Sequence, residues 1–323
     1  MLKRVRDLLP GMRAEAIAAY AEKTDFGDMD ILLAEHADYD AVGLSQKLGA
    51  QEVVRNGDVT SFGLPVSEGV FQVDLISVPA ASFDFAMRYF SYNDLGNLLG
   101  RIAHKFGAKF GHLGLLYPLR DPANDDHLLA ELTITNDFSV ALAMLGYDAQ
   151  VYETMRRDSG FRTLEDVFHY VVSSPYANPD IYLLENRSYK SRVRDAKRPT
   201  YNKFLDWLAQ QPPGSLPAYP WGEAGSPERQ TQRKEFLEQS FAQSPAFKRR
   251  HDETLARAAR QHRAKRYFNG EFVAAMTGLE GKALGMFMSR LRASFASTEE
   301  LESFFAAASE EEAKARIARI SVL

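Results

Sequence analysis

Three aspartates in the first quarter of the chain have a spacing that could hold metal ions. Asp28 and Asp30 lie in the run 26–33, and Asp74 lies in a second apolar run, residues 71–76. Side chains two positions apart on a strand share a face, so Asp28 and Asp30 are predicted to point the same way. Three converging carboxylates raise one another's pKa unless cations neutralise them, and Mg²⁺ prefers carboxylate and phosphate oxygens. The chemistry that this pattern indicates is two-metal phosphoryl or nucleotidyl transfer.

An Asp-x-Asp pair on its own is also typical of turns and of strand-end salt bridges. Here apolar residues follow both acidic runs directly, as expected for acids at the mouth of buried strands. The second acid also opens a longer pattern of residues 73–79, Ser82-Phe83, 86–91 and 96–101. Together with the run 27–33, this pattern resembles the palm of the DNA polymerase beta (family X) nucleotidyltransferases. The resemblance covers about residues 20–115 and implies a palm with a mixed sheet and flanking helices.

The resemblance implies a role for each of the three acids. Asp28, Asp30 and Asp74 correspond to the family's metal-binding aspartates, which hold two Mg²⁺ or Mn²⁺ ions. The third of them, Asp74, would also help to activate the attacking 3′-hydroxyl. The substrate that this implies is a nucleoside triphosphate.

Four further residues correspond to the nucleotide-binding positions of the family. Tyr89 and Phe90 would line the sugar of the incoming nucleotide, and Asn97 would lie near its base. Arg101 matches a recurrent arginine on the same helix. For Tyr89 and Phe90, ordinary packing at the end of a helix is the alternative interpretation.

The chain departs from the family where the triphosphate is usually held. The family places Gly-Ser about eleven residues before the first aspartate, and its amides and hydroxyl bind phosphates as other anion sites do. In this chain that spacing falls on Ile17-Ala18, and the following arginines are replaced by Tyr20-Ala21. Lys23 and Arg13 are the nearest cations that could substitute. Three alternatives stay open: another mode of phosphate binding, a different substrate, or a decayed activity.

The composition limits the possible classes of protein. The 323 residues are 45% hydrophobic and 25% charged, and the formal net charge is −4. A chain without cysteine excludes disulfides, cysteine nucleophiles and thiolate metal sites. No apolar run reaches the length of a membrane span. We therefore expect a globular cytoplasmic protein that is not embedded in a membrane.

The pattern along the chain predicts an α+β palm followed by a mostly helical domain. Residues 12–23 are rich in helix formers, and a 3.6-residue period predicts a helix over 93–106. The predicted strands cover 28–34, 51–55 and 70–78, with strands or a hairpin at 113–118 and 130–135. The predicted domains are 1–137 and 138–323. The second contains candidate helices at 138–145, 164–172, 201–208 and 229–266, and a Pro/Gly-rich loop at 211–228.

Two basic clusters in the second domain predict contact with a nucleic acid. Basic residues interleaved with aromatic ones suit phosphate contact and base stacking. The alternative interpretation of these clusters is a solvent-exposed helix face whose basic residues pair with acidic neighbours, such as those at 299–312. The segment 268–285 loosely resembles the helical part of tRNA nucleotidyltransferases, which favours RNA over DNA as the acceptor. The predicted nucleic-acid contacts are Arg192, Arg194, Lys197 and Arg198 in the first cluster and Arg257, Arg260 and Arg263 in the second.

The sequence thus predicts a metal-dependent nucleotidyltransferase that adds nucleotides to the 3′ end of an RNA, with tRNA as the favoured acceptor. One alternative is a transferase with the same metal centre that acts on DNA or on a protein hydroxyl. The other is a non-catalytic nucleic-acid-binding module on a decayed palm.

Overall fold

The amino-terminal part of the chain alternates strands with short helices. The computed structural model describes residues 1–34, 39–67, 69–157 and 160–321. In chain order the first elements are α1 (Leu2–Leu8), β1 (Ala14–Ala16), β2 (Asp28–Ala34), α2 (Ala41–Leu48), β3 (Glu52–Asn56), β4 (Val59–Val66), β5 (Gly69–Val78), α3 (Phe83–Phe90) and α4 (Leu95–Lys105).

The five strands form one mixed sheet in the order β1-β2-β5-β4-β3. Strands β2 and β5 are parallel, and the other neighbouring pairs are antiparallel. In the parallel pair Asp30 lies opposite Asp74. The prediction of an α+β fold with a mixed sheet is confirmed.

Strand β2 is buried on both faces, which explains its apolar run. Ile31 and Leu33 pack with α1 and α2 residues on one side of the sheet. Leu32 and Ala34 pack with residues of α3 on the other side. Because side chains alternate along a strand, Asp30 belongs to the α3 side, away from the α1/α2 core. The strand thus carries its acids on the face where α3 ends.

The helix-rich composition of residues 12–23 does not produce a helix. Residues 14–16 form β1, in which Glu15 lies opposite Leu32 of β2, and residues 17–20 have no regular structure. Helix propensity is a weak preference that tertiary contacts override. Here the buried Ala14 packs in the sheet core, so strand pairing decides the conformation.

The rest of the chain is mostly helical after a second sheet. The three strands of that sheet have the order β6-β7-β8, and only two residues separate β7 from β8, so the predicted hairpin is present. No helix in the described ranges combines the length and apolar character needed to cross a membrane. The remaining elements are β6 (Lys109–Gly111), β7 (Gly114–Asp121), β8 (Asn124–Thr135), α5 (Phe138–Met144), α6 (Ala149–Arg157), α7 (Leu164–Val171), α8 (Tyr189–Asp195), α9 (Pro199–Ala209), α10 (Pro227–Gln243), α11 (Pro245–Ala264), α12 (Gly270–Thr277), α13 (Gly281–Ala293), α14 (Thr298–Ala307) and α15 (Glu310–Ser321).

The chain divides into two compact units that differ from the predicted domains. Unit 1 contains residues 1–118 and 131–247, and unit 2 contains residues 119–130 and 248–323. The predicted boundary at residue 137 falls inside unit 1. The reason is that α5 packs on α3 and α7 packs on α4, so the first helices after the sheet share its core.

The predicted helix over 229–266 is two helices, α10 and α11. Ser244 ends the first, and Pro245 begins the second. Proline lacks an amide hydrogen and is favoured in the first turn of a helix, where that hydrogen is not needed. The loop 211–228 is irregular up to Ser226, which caps α10. Trp221 of this loop packs against Phe106, with ring centroids 4.8 Å apart.

The helical part of unit 2 has its own hydrophobic core. Phe287, Leu291, Leu301 and Phe305 are buried in it, together with Ile317 of the last helix. The segment that resembles tRNA nucleotidyltransferases forms α12, a turn and α13. Helix α12 ends at Gly278 in the left-handed conformation that favours glycine.

Candidate metal and nucleotide site

The parallel pairing of β2 and β5 brings the three predicted acids together. Asp28, Asp30 and Asp74 each offer one carboxylate oxygen, and these oxygens lie within 4.8 Å of one another. Asp28 is exposed, whereas Asp30 and Asp74 are half-buried. Because Mg²⁺ binds oxygen ligands at about 2.0–2.1 Å, carboxylates at this separation can share an ion. Exposed acidic groups are also common without a metal, so the surroundings of the cluster matter.

The electrostatics of the cluster favour a bound cation. Burial first, and then the charges of Asp28 and Asp74, raise the pKa of the Asp30 carboxyl to about 6, while Lys23 acts in the opposite direction. Asp74 accepts hydrogen bonds from the Gln72 amide at 2.9 and 3.0 Å. A divalent cation would relieve the repulsion that raises the pKa of Asp30. The donor set therefore fits Mg²⁺ or Mn²⁺.

The pKa of Asp30 predicts a pH-dependent effect of removing its charge. Because the folded-state pKa lies above the usual value of 3.8, the ionised carboxyl destabilises the fold at high pH. In metal-depleted buffer at about pH 8, Asp30→Asn should raise the free energy of unfolding by about 1–2 kcal/mol, after allowance for solvent screening. The gain should shrink as the pH falls through about 6 and vanish near about 4. Urea titrations of both proteins across this range measure it. A gain that does not depend on pH would contradict the raised pKa.

A pocket of about 640 Å³ is lined by two of the three carboxylates, those of Asp28 and Asp30, and not by Asp74. Its volume is within the range of small-molecule sites, roughly 300–1,000 Å³. Its lining combines apolar side chains with the carboxylates of Asp28 and Asp30 and the cations of Lys23 and Arg198. The lining residues come from β1 and the segment after it, β2, β5, the end of α3 and the start of α9: Ala16, Ile17, Ala18, Ala19, Lys23, Phe26, Asp28, Met29, Asp30, Phe71, Phe90, Asn93 and Arg198.

The segment that replaces the family's Gly-Ser forms one wall of this pocket. Ile17 N–H donates to the Asp30 carbonyl at 3.0 Å, and Tyr92 N–H donates to the Ala18 carbonyl at 2.7 Å. These bonds fix residues 17–20 against β2 and the α3–α4 turn. Within the described ranges, the N–H groups of Ala18 and Ala19 donate no hydrogen bond. Both residues line the pocket, so these two N–H groups are candidates for binding an anion there.

Of the predicted nucleotide contacts, Lys23 and Phe90 line the pocket and Tyr89 does not. Lys23 Nζ lies 4.7 Å from the centre of the Phe26 ring. Tyr89 packs edge-on against Phe90, with ring centroids 5.2 Å apart. A Cβ on Gly96 would overlap the Tyr89 carbonyl, so the glycine allows α4 to approach α3. Tyr89 thus packs against Phe90 and Gly96 and does not line the pocket.

Asn97 and Arg101 do not line this pocket either. They lie further along α4: at about 1.5 Å per residue, Asn97 is about 3 Å and Arg101 about 9 Å beyond the first residue of that helix. Asn93 is the α4-side residue that the pocket uses, and its amide donates to Thr200 Oγ1 at 3.4 Å. Tyr92 and Asn93 have φ of 61° and 60°, in the left-handed region that non-glycine residues rarely adopt. This turn is what directs Asn93, rather than Asn97, to the pocket.

The first basic cluster is partly neutralised within unit 1. Arg194 Nε lies 3.0 Å from the buried carboxylate of Asp195, and Arg198 is ion-paired with Asp94. Arg192 and Lys197 are exposed. Arg192 lies over the ring of Tyr189, which is 72% exposed, at 5.9 Å. The exposed part of the cluster therefore keeps the combination of cation and aromatic ring that suits a single-stranded nucleic acid.

The second basic cluster lies in unit 2 and also contains both paired and unpaired arginines within the described ranges. Arg260 Nη2 pairs with Glu299 at 3.1 Å, which is the acidic neighbourhood considered as the alternative. Arg257 and Arg263 are exposed, and neither forms an ion pair within the described part of the chain. Two of the three predicted contacts are thus accessible.

Comparison with known proteins adds no assignment to this geometry. No family model matches the chain, and no curated protein matches it. The residues of the site therefore carry the functional interpretation.

Proposed function

We propose that this chain is a Mg²⁺-dependent nucleotidyltransferase with a palm of the polymerase beta type, acting on the 3′ end of an RNA. The observation that carries the proposal is the register that sets Asp30 opposite Asp74. This register brings three carboxylates within 4.8 Å of one another beside a pocket of nucleotide size. The resemblance of residues 20–115 to that family supports the same conclusion.

In this proposal each acid has a distinct task. Asp28 and Asp30 would hold both ions, and Asp74 would accept the proton of the acceptor hydroxyl. Gln72 orients the Asp74 carboxylate through its two hydrogen bonds. When bound, two ions lower the pKa of an attacking hydroxyl and neutralise charge on a triphosphate.

The pocket walls suggest how the nucleotide is held without a Gly-Ser pair. The free N–H groups of Ala18 and Ala19 and the ammonium of Lys23 would bind phosphate oxygens. Phe90 would contact the sugar, and Phe26, which is 49% exposed, offers a face on which a base can stack. Phosphate binding by backbone amides needs no particular side chain, so the loss of the serine is compatible with activity.

The acceptor is inferred from the exposed surface of α8 and its flank. Tyr189, Arg192 and Lys197 belong to the same unit as the three acids. A stacking ring beside unpaired cations contacts unpaired bases more readily than a duplex, because a duplex shields its bases. A single-stranded RNA end therefore fits this surface best.

A transfer assay with several acceptors tests the proposal. The full chain, labelled nucleoside triphosphates and Mg²⁺ would be combined with tRNA lacking its 3′ terminus, single-stranded RNA, primer–template DNA and a protein mixture. We expect label on RNA and none after chelation of the metal. Label on DNA or on protein alone would assign a different acceptor to the same centre. No label on any acceptor, together with no saturable nucleotide binding by calorimetry, would leave the decayed palm as the correct interpretation.

A further inference from the structure

A second pocket of about 350 Å³ lies in unit 1, apart from the carboxylates. Its walls come from the last turns of α4, the segment 178–191, the loop 221–224 and the start of α10. None of its lining residues lines the first pocket. It is therefore a separate concavity.

The lining of this second pocket is strongly cationic. Five lysine and arginine side chains face two carboxylates, those of Asp180 and Glu223. His104 adds an imidazole to the same wall. The five cationic residues are Arg101, Lys105, Arg187, Arg229 and Arg233.

Two of the five cationic side chains already have an ion-pair or hydrogen-bond partner within the protein. Arg187 lies 2.6 Å from the buried carboxylate of Asp195. Arg229 donates to the carbonyls of Gly222 at 3.0 Å and Lys105 at 3.1 Å, so it holds the loop against α4. These two residues build the pocket wall.

The other three cations form no direct ion pair within the described residues, although Arg233 Nε donates to the Lys105 carbonyl at 3.5 Å. Arg101, Lys105 and Arg233 form no ion pair with any carboxylate in the described ranges. The Nε atom of Arg101 is buried and has no hydrogen-bond partner there. A buried donor without a partner is costly, and this one belongs to a side chain that lines the pocket.

The local potential is correspondingly positive. Burial lowers the pKa of Lys105, and the charges of Arg229 and Arg233 lower it further, against the opposing effect of Asp180. The pKa of His104 is lowered by the same causes, burial first and then Arg233, Lys105 and Arg229. An anion in the pocket would reverse these shifts.

We propose that this second pocket binds a diphosphate group, either free pyrophosphate or the diphosphate of a small molecule. Counting Asp195 with Arg187, the lining carries an excess of two positive charges, which balances the two ionised oxygens of a diphosphate diester and offsets most of the charge of free pyrophosphate. Guanidinium forks bind phosphate oxygens in pairs. A concavity enclosed by four segments suits a compact group better than a continuous nucleic-acid backbone, which needs an open groove. This proposal does not rest on nucleotidyl transfer.

Calorimetric titration of the full chain with pyrophosphate in metal-depleted buffer tests the proposal. We expect saturable binding by the wild type. The affinity should fall roughly tenfold in Arg233→Gln and, in a separate variant, roughly tenfold in Arg101→Met. Arg233 is exposed, so its replacement should leave the fold intact, and circular dichroism checks both variants. Lys234→Gln is the matched control, since Lys234 is the next residue of α10, is exposed and does not line the pocket.

The Asp30→Asn variant separates this proposal from the metal site. Binding of pyrophosphate that persists in Asp30→Asn and weakens roughly tenfold in Arg233→Gln and in Arg101→Met supports the second pocket. Binding that follows Asp30 instead, absence of saturable binding, or equal binding by both arginine variants and the wild type overturns it. Saturable binding of an oligonucleotide without terminal phosphates to this pocket, with no binding of pyrophosphate, would also overturn it.

Discussion

Replacing Asp74 by asparagine should lower the rate of nucleotide transfer by roughly a thousandfold or more. The substitution keeps the shape of the side chain and its place opposite Asp30, but it removes one of three charges that would hold the ions. It also removes the group proposed to accept the hydroxyl proton. Asp28→Asn and Asp30→Asn should have effects of similar size, because each removes a carboxylate from the same cluster. Labelled-nucleotide incorporation at saturating Mg²⁺ measures the loss.

Asp84→Asn provides the matched control for these three variants. Asp84 is an exposed carboxylate of the same unit, pairs with Arg13 at 2.9 Å and does not line the pocket. Its replacement should leave the transfer rate within about twofold of the wild type, since an exposed ion pair contributes little. Substantial transfer by Asp74→Asn, or an equal loss in Asp84→Asn, would contradict the assigned roles.

Replacing Asp195 by alanine should destabilise unit 1 by about 3–5 kcal/mol. The carboxylate is fully buried and lies 2.6 Å from Arg187 and 3.0 Å from Arg194. Arg187 is itself only 5% exposed, so removal of Asp195 leaves a buried positive charge without its partner. Both tryptophans of the chain, Trp207 and Trp221, lie in unit 1. Urea titration followed by their fluorescence therefore reports on this unit.

Two further variants make the reason for that loss testable. Asp206→Ala removes an exposed acid of α9 and should change the free energy of unfolding by no more than about 0.5 kcal/mol. The double variant Asp195→Leu/Arg187→Met removes both charges and should recover much of the loss, because the buried arginine no longer lacks a partner. A double variant that is as unstable as Asp195→Ala would show that packing, rather than charge, causes the effect.

Local geometry made only one part of the acidic cluster predictable from the sequence, the pair Asp28 and Asp30. The two-residue period of a strand puts Asp28 and Asp30 on one face whatever the strand pairs with. The position of Asp74 opposite Asp30 depends on the register of β2 and β5, which are separated by more than thirty residues. The resemblance to a known family indicated that pairing, and local propensity could not.

The wall of the pocket was not predictable in the same way. Residues 14–16 are strand because β2 pairs with them, although their composition favours a helix. The turn that directs Asn93 to the pocket uses two left-handed residues that are not glycine. Tyr92 and Asn93 give no turn signal as strong as glycine, and the family resemblance pointed instead to Asn97, further along α4.

Whether a basic residue is paired or exposed depends on tertiary contacts, which cannot be read from the number of charges in a segment. Arg198 lies close to Lys197 in the sequence, yet Arg198 lines the pocket and pairs with Asp94, whereas Lys197 is exposed. Arg101 lines the second pocket, whereas the family resemblance predicted that it would lie near the nucleotide. Net charge along a segment predicts a surface potential, but the fold decides which cations remain free.

Anomalous diffraction from crystals soaked with Mn²⁺ and a non-hydrolysable nucleotide tests the proposed metal centre most directly. We expect two manganese peaks bridged by the carboxylates of Asp28, Asp30 and Asp74, with the nucleotide phosphates against residues 18–19. Both peaks should be absent or much weaker in crystals of Asp30→Asn. Crystals that bind the nucleotide without any manganese peak within ligand distance of these three carboxylates would contradict the proposed two-metal centre.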